Sequence, residues 1–309
     1  MKMKKNKNIL EVKIRDIVFH SPIMTASGTF GYGDEVKDFV DIQKIGCIIT
    51  KSITLNFREG NPPPRIHESN SGMLNSIGLA NVGLEKFCSD KLNKLNKLST
   101  NFMISIAGST LENYVQVLSE IEKNSGNHVG YEINVSCPNV KKGGVEFGLD
   151  GQIVKKLIVR LREITDKLLF VKLSPNVTNI EEIALSAESA GVDGISAVNT
   201  FLGLALDYKT GKFELSTKYG GLSGPAIKPL ALAKIHKIYN KVKIPIIGIG
   251  GISRFSDIVE FLRVGSTMVQ VGTLNYRDPT ISCKLFDDLL EYVENSSFED
   301  INDLIGKSK

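Results

Sequence analysis

Ile247-Gly248-Ile249-Gly250-Gly251, late in the chain, is the stretch whose reading decides between two α/β architectures. An open, doubly wound sheet normally places a Gly-x-Gly-x-x-Gly turn after its first strand. This string lacks the third glycine at that spacing, and no other stretch supplies the motif. Further on, Val269-Gln270-Val271-Gly272-Thr273 is again an apolar run ending in glycine. Glycines at strand ends let backbone N–H groups approach a phosphate closely. In a (β/α)8 barrel, the loops after strands seven and eight, together with a helix N-terminus, form the usual phosphate site. Either these glycines only relieve crowding or they cradle a phosphorylated ligand, and the agreement of two sites favours the cradle. Gly220-Gly221-Leu222-Ser223-Gly224-Pro225 could add a third, though it is weak by itself.

Working outward, short apolar or β-branched runs recur with helical patterns between them, as βα units of a parallel sheet require. The runs are Ile23–Ala26, Cys47–Lys51, Met103–Ala107, Tyr131–Val135, Phe170–Leu173, Ile195–Val198, Ile244–Ile249 and Met268–Val271. Amphipathic stretches lie after them at Leu111–Glu122, Ile153–Ile164, Ile180–Ala190, Ala231–Tyr239, Asp257–Val264 and Ile281–Val293. Eight alternations predict a (β/α)8 TIM barrel with its active site at the C-terminal face of the strands. We read residues 1–309 as a single barrel domain with inserted loops at about 53–100, 138–150 and 200–226. The last of these carries a small hairpin, Leu204–Tyr208 and Lys212–Leu215 around Thr210-Gly211.

With 38 basic and 34 acidic side chains the formal charge is only +4, and 42% hydrophobic content is ordinary for a compact protein. No clustered basic face suggests nucleic acid. Cys47, Cys88, Cys137 and Cys283 lie far apart with no Cys-x-x-Cys pair, which points to no metal or iron–sulfur site in this chain. Reduced thiols fit a cytoplasmic protein. The lysine-rich Met1–Asn8 reads as a solvated tail, since Glu11 and Lys13 interrupt the apolar residues Ile9, Leu10 and Val12 and leave no signal-peptide core. No stretch approaches the roughly 20 apolar residues of a membrane span.

Asn134-Val135-Ser136-Cys137-Pro138-Asn139 stands directly past the fourth run. A cysteine there, opening a loop that bears Gly143-Gly144, is placed to act on a ligand as base or nucleophile beneath a lid, or else is an inert buried thiol. Cys47, Cys88 and Cys283 fall inside strand or helix patterns and read as packing residues. Other strand ends supply Lys51, Ser105, Lys172, Asn199 and Thr200, and Asn75 sits in the first long insertion. Several amides together match the donor and acceptor edges of an imide or lactam ring. Two lysines add positive charge where an anion binds or forms.

Put together, these residues resemble the dihydroorotate dehydrogenases of pyrimidine biosynthesis over nearly the whole chain. The strings that carry the resemblance are Ala26-Ser27-Gly28-Thr29-Phe30-Gly31, Asn75-Ser76-Ile77-Gly78-Leu79, Asn134 to Asn139, Val171-Lys172-Leu173-Ser174-Pro175-Asn176, Gly220 to Pro229 and the two glycine sites. The cysteine looks like class 1, since the membrane-associated class 2 enzymes use serine there and carry an N-terminal extension absent here. Asn139-Val140-Lys141-Lys142-Gly143-Gly144 and Phe30-Gly31-Tyr32-Gly33 look like the NAD-linked 1B subclass rather than the fumarate-linked 1A homodimers.

The resemblance implies FMN as cofactor and oxidation of (S)-dihydroorotate to orotate. Cys137 would remove the proton at C5 while a hydride leaves C6 for the flavin N5. Lys51, Asn75, Ser76, Ile77, Gly78, Leu79, Asn134, Asn139, Asn199 and Thr200 would bind the substrate. Ser27, Ser52, Val198, Gly224, Gly250, Gly251, Gly272 and Thr273 would hold FMN, the last five around its phosphate. Lys51, Ser105 and Asn134 would also touch the flavin, with Lys172 near its N1/O2 edge. At Ser105 the family often has asparagine, so an amide contact is lost there.

With neither a dinucleotide fingerprint nor a cysteine cluster in this chain, electrons bound for NAD must leave through another polypeptide. The resemblance implies a subunit carrying FAD and [2Fe-2S], in a heterotetramer of two copies of each chain. The competing expectations are a flavin-free lyase or isomerase acting on a sugar phosphate, a non-catalytic binding barrel, and a dihydropyrimidine dehydrogenase-like enzyme. Lys51 and the Asn75–Leu79 string favour orotate over uracil or thymine.

Overall fold

A computed structural model describes residues 8–36, 38–136, 138–139 and 145–308, so Cys137 lies outside the described residues. Eight parallel strands close on themselves: β1 Ile23–Thr25, β2 Cys47–Ile49, β3 Asn101–Ile106, β4 Gly130–Asn134, β5 Leu168–Lys172, β6 Gly194–Ala197, β7 Ile246–Ile249 and β8 Met268–Val271. They are the eight apolar runs of the sequence, in order. Closure is made by β8 against β1, with Val269 opposite Ile23 and Val271 opposite Thr25. Most of these strands are buried along their whole length, because side chains fill the barrel on one face and helices cover the other.

The helices are α1 (84–95, its middle turn π-helical), α2 Leu111–Glu122, α3 Gly151–Arg162, α4 Ile180–Glu188, α5 Lys228–Tyr239, α6 Phe255–Arg263 and α7 Ile281–Glu294. Between β1 and β2 the described residues hold only the 3-10 turn Ile42–Lys44. Three helices, α3, α5 and α6, begin two or three residues before their expected starts. At α3, the Asp150 carboxylate accepts from Gln152 N at 2.8 Å and Ile153 N at 3.4 Å, so the first turn is set by a cap. At α5, Pro229 occupies the first turn, where proline is tolerated.

Two insertions meet above the barrel mouth in one antiparallel sheet of four strands, in the order Phe201–Leu204, Tyr219–Ser223, Gly72–Asn75, Ile66–Ser69. The hairpin tip expected at Thr210-Gly211 is present: Leu206 bridges Phe213, Asp207 accepts from Thr210 N at 2.7 Å, and Gly211 has φ +68°. The expected strands Leu204–Tyr208 and Lys212–Leu215 form only that bridge; the main ladder lies outside them, pairing Phe201 with Leu222 and Leu204 with Tyr219. In the 138–150 insertion, Pro138–Asn139 pairs antiparallel with Val145–Glu146, and the 3-10 turn Phe147–Leu149 comes next. Among the described residues no helix is long and apolar enough to cross a membrane.

Asp257, in the first turn of α6, fixes the turn that leaves β7. Its Oδ2 accepts from Ser253 N at 2.7 Å, Ser253 Oγ at 2.9 Å and Arg254 N at 3.0 Å, while Lys228 Nζ donates to Oδ1 at 2.7 Å. The residue is 2% exposed. Burial pushes the carboxyl up, but Lys228 and the Ser253 and Arg254 donors outweigh it and hold it below the usual range. Asp257→Asn should therefore lower stability at neutral pH by about 2 kcal/mol, read from the denaturant midpoint. A depressed folded value gives stability above the unfolded pKa of about 4 and loses it as pH falls through the folded one. The difference between the two proteins should accordingly shrink below about pH 4, and a gap that stays constant there would remove Asp257's charge as its cause.

Candidate active site

A cavity of about 570 Å³ lies where the strand ends face the cover sheet. Its floor is set by β-strand alternation, since residues two apart point to the same side. Asn134 ends β4 and Lys172 ends β5, adjacent in register, and both reach the cavity. Ser52 lies just past β2, and its Oγ is 2.8 Å from Ser105 Oγ, 3.3 Å from Ser27 Oγ and 3.5 Å from Asn134 Nδ2. Ser27 in turn donates to Thr50 O at 2.9 Å. These contacts join the ends of β1, β2, β3 and β4 through short hydroxyl side chains and the Asn134 amide.

The cavity is lined in part by Gly224, Gly250, Gly251, Gly272 and Thr273. Gly251 has φ +83°, and a Cβ there would stand 2.8 Å from Lys228 N and 2.9 Å from Gly224 O. A side chain is thus excluded both by conformation and by space. Thr273 Oγ1 lies 2.9 Å from Ser223 Oγ, which ties the turn after β8 to the cover sheet. Bare backbone beside the start of α5 is the environment that receives a phosphate.

The same cavity is also lined by Lys51, Asn75, Ser76, Ile77, Gly78, Leu79, Asn199 and Thr200. Asn199 Nδ2 donates to Ser136 Oγ at 3.0 Å and to Asn134 Oδ1 at 3.4 Å, and Asn75 Nδ2 donates to Gly221 O at 3.3 Å. Lys51 is half-buried, and among the described residues no ion pair engages its ammonium group. Burial first, and the positive charge of Arg65 second, lower its pKa, with Glu35 opposing them. An ammonium group so placed gains most from an incoming anion.

Of the site residues named from the sequence, Ser27, Lys51, Ser52, Asn75 to Leu79, Asn134, Lys172, Val198, Asn199, Thr200, Gly224, Gly250, Gly251, Gly272 and Thr273 line this one cavity. Ser105 does not. It is fully buried and its hydroxyl hydrogen-bonds with that of Ser52, which does line the cavity. Cys137 lies outside the described residues, next to Ser136, which lines the cavity. Asn139 is described by its backbone pairing with Val145. Sequence reasoning missed Ser136, Ser174, Asn176, Arg58, Asn61 and Ser223, all of which line the cavity. Ser136, Ser174 and Asn176 lay inside quoted strings, and alternation from Asn134 or Lys172 could have found them. Arg58 and Asn61 come from an insertion without periodicity and had no such signal. Cys47 and Cys283 are buried and Cys88 half-buried, and burial pushes all three thiols up, as packing residues require.

A closed barrel whose mouth is lined by a glycine cluster together with amide and lysine side chains defines a (β/α)8 barrel enzyme with a polar cavity at its C-terminal face. Comparison narrows the class. The family model for dihydroorotate dehydrogenase matches residues 9–293, and the chain belongs to that family of oxidoreductases. It is 45% identical to the "Dihydroorotate dehydrogenase B (NAD(+)), catalytic subunit" of Parabacteroides distasonis, covering 96% of this chain and 97% of the relative. It is 44% identical to the protein of that name from Geotalea uraniireducens, with the same coverage. The crystal structure of the Eimeria tenella enzyme DHODH in complex with ferulenol shares the fold, with a TM-score of 0.78, at 22% identity over 99% of this chain and 90% of that one.

The supporting role of Ser105 is open to measurement. Ser105→Ala should cost about 1 kcal/mol, seen in the denaturant midpoint, because Ser52 loses a buried partner. Ligand affinity should stay within about threefold. A loss of tenfold or more would return Ser105 to the ligand-binding set.

Proposed function

We propose that the chain oxidises (S)-dihydroorotate to orotate in pyrimidine (UMP) biosynthesis, as the cytoplasmic, FMN-bearing catalytic subunit of an NAD-linked enzyme. Family membership supports the reaction. The observation that supports the residue assignments is that one cavity is lined both by the glycine cluster and by Lys51 with several amide side chains.

FMN fits the residues present. The cradle at Gly224, Gly250, Gly251, Gly272 and Thr273 leaves space that a Cβ would fill at Gly251, and would take the phosphate. Ser27, Ser52, Asn134 and Val198 would hold the ring, with Lys172 at its N1/O2 edge, where negative charge gathers on reduction. When bound, the flavin supplies the hydride acceptor. Lys51 would hold the substrate carboxylate, the charge that its buried ammonium calls for. Asn75, Asn134, Asn139, Asn199 and Thr200 would read the ring's N–H and C=O edges, each amide both donating and accepting. Cys137, the next residue in sequence after Ser136, would take the C5 proton as thiolate.

The relatives' names, "catalytic subunit" and "NAD(+)", support a partner that passes electrons on. We assign FAD and [2Fe-2S] to that subunit, in a heterotetramer of two copies of each chain. No observation favours the lyase, the binding barrel or the dihydropyrimidine reading.

Two measurements check this. Cys137→Ala should retain FMN yet slow flavin reduction by dihydroorotate at least about a hundredfold in stopped-flow, the usual worth of a general base. Unchanged reduction would take Cys137 out of the mechanism. Turnover with NAD should require the partner subunit, whereas robust fumarate reduction by the isolated chain would place it with the 1A enzymes.

A further inference from the structure

Below the cavity floor the barrel interior holds a charged cluster to which the proposed reaction gives no task beyond Lys172. Layers inside such barrels are dominated by Val, Ile and Leu. Here Glu132 on β4, Lys172 at the end of β5 and Gln270 on β8 are 0%, 5% and 1% exposed. Glu132 is two residues before Asn134 on the same face of β4, one layer beneath the cavity. Gln270 Nε2 donates to Glu132 Oε2 at 2.5 Å. Glu132 Oε1 accepts no hydrogen bond and faces Lys172 Nζ at 3.5 Å, a charge contact. Lys172 Nζ also lies 3.5 Å from Gln270 Oε1. The three side chains thus form a closed triangle across the barrel, with one member, Lys172, reaching the cavity.

Burying a carboxylate and an ammonium together costs solvation that apolar packing would avoid, so the triangle is a poor device for stability alone. Its geometry suits another task. A lone ammonium under the cavity would present a full positive charge in a low-dielectric interior, whereas a carboxylate below it leaves a dipole with the positive end uppermost.

We propose that Glu132, tethered by Gln270, is a positioning residue that holds Lys172 at the cavity floor and offsets its charge, and so sets how strongly this site favours the reduced, more negative form of the flavin. The inference rests on FMN being the cofactor of this cavity.

Glu132→Gln removes the charge at constant shape. Poised against a redox dye of known potential at fixed pH, the FMN-loaded variant should show a ratio of reduced to oxidised flavin at least about tenfold higher than the unaltered protein. In a Lys172→Gln background the same change should move that ratio less than about twofold, since Glu132 acts through the lysine. Glu132→Asp, which keeps the charge but withdraws it, should shift the ratio in the same direction by a smaller factor. It provides the measurement if Glu132→Gln does not fold. An unchanged or lowered reduced fraction, or an equal effect with and without Lys172, overturns the inference while leaving the FMN reading intact. Failure of the unaltered chain to bind FMN overturns both.

Discussion

Closure of β8 on β1 is the constraint that organises everything at the barrel mouth. A parallel strand has its backbone groups satisfied only by neighbours on both edges, and pairing Val269 with Ile23 removes the last free edge. Once the ring is shut, all eight strands deliver their C-terminal ends to the same rim. Asn134, Lys172, Gly250 and Gly272 come from parts of the chain far apart in sequence, yet they meet because each stands at or just past the end of its strand. The chemistry of the mouth is therefore decided by which residue type ends each strand, while the apolar strand interiors supply packing.

Three settings in the cavity differ in charge. At Gly251, uncharged backbone lies beside the start of a helix with no room for a side chain. Lys51 is a half-buried ammonium with no ion pair among the described residues. Lys172 is charge-compensated from below by Glu132. In the proposed reaction these would suit, in turn, a fixed phosphate, a substrate carboxylate that comes and goes, and a charge that appears only during turnover.

Much of this was legible in the sequence because barrel strands are short and buried on both faces, so each appears as an unbroken apolar run, and strand-end residues can be counted off directly. Helix starts were less legible: α3 and α5 begin at a capping aspartate and a proline, neither of which adds to apolar periodicity. The cover sheet was half visible. Its hairpin tip carries turn chemistry, but the pairing of Gly72–Asn75 with Tyr219–Ser223 joins two insertions with no local signal linking them. Ser105 shows the limit of reading strand ends, for it is fully buried against Ser52 and does not line the cavity. Glu132 and Gln270 stayed hidden because a polar residue within an apolar run reveals its partners only when the ring is closed.

The cover sheet also acts as a cross-tie. It connects the segment after β2 to the segment after β6, on different sides of the ring, so the width of the opening is governed by one hydrogen-bonded ladder that spans it. Asn75 faces Gly221 on one side and Ile66 on the other. Slipping that ladder by a single residue would turn Asn75 outward and bring its neighbour in, because successive residues of a strand alternate in direction. Residues added at a turn beyond the ladder, such as the Thr210-Gly211 tip, would leave the phase of the roof unchanged.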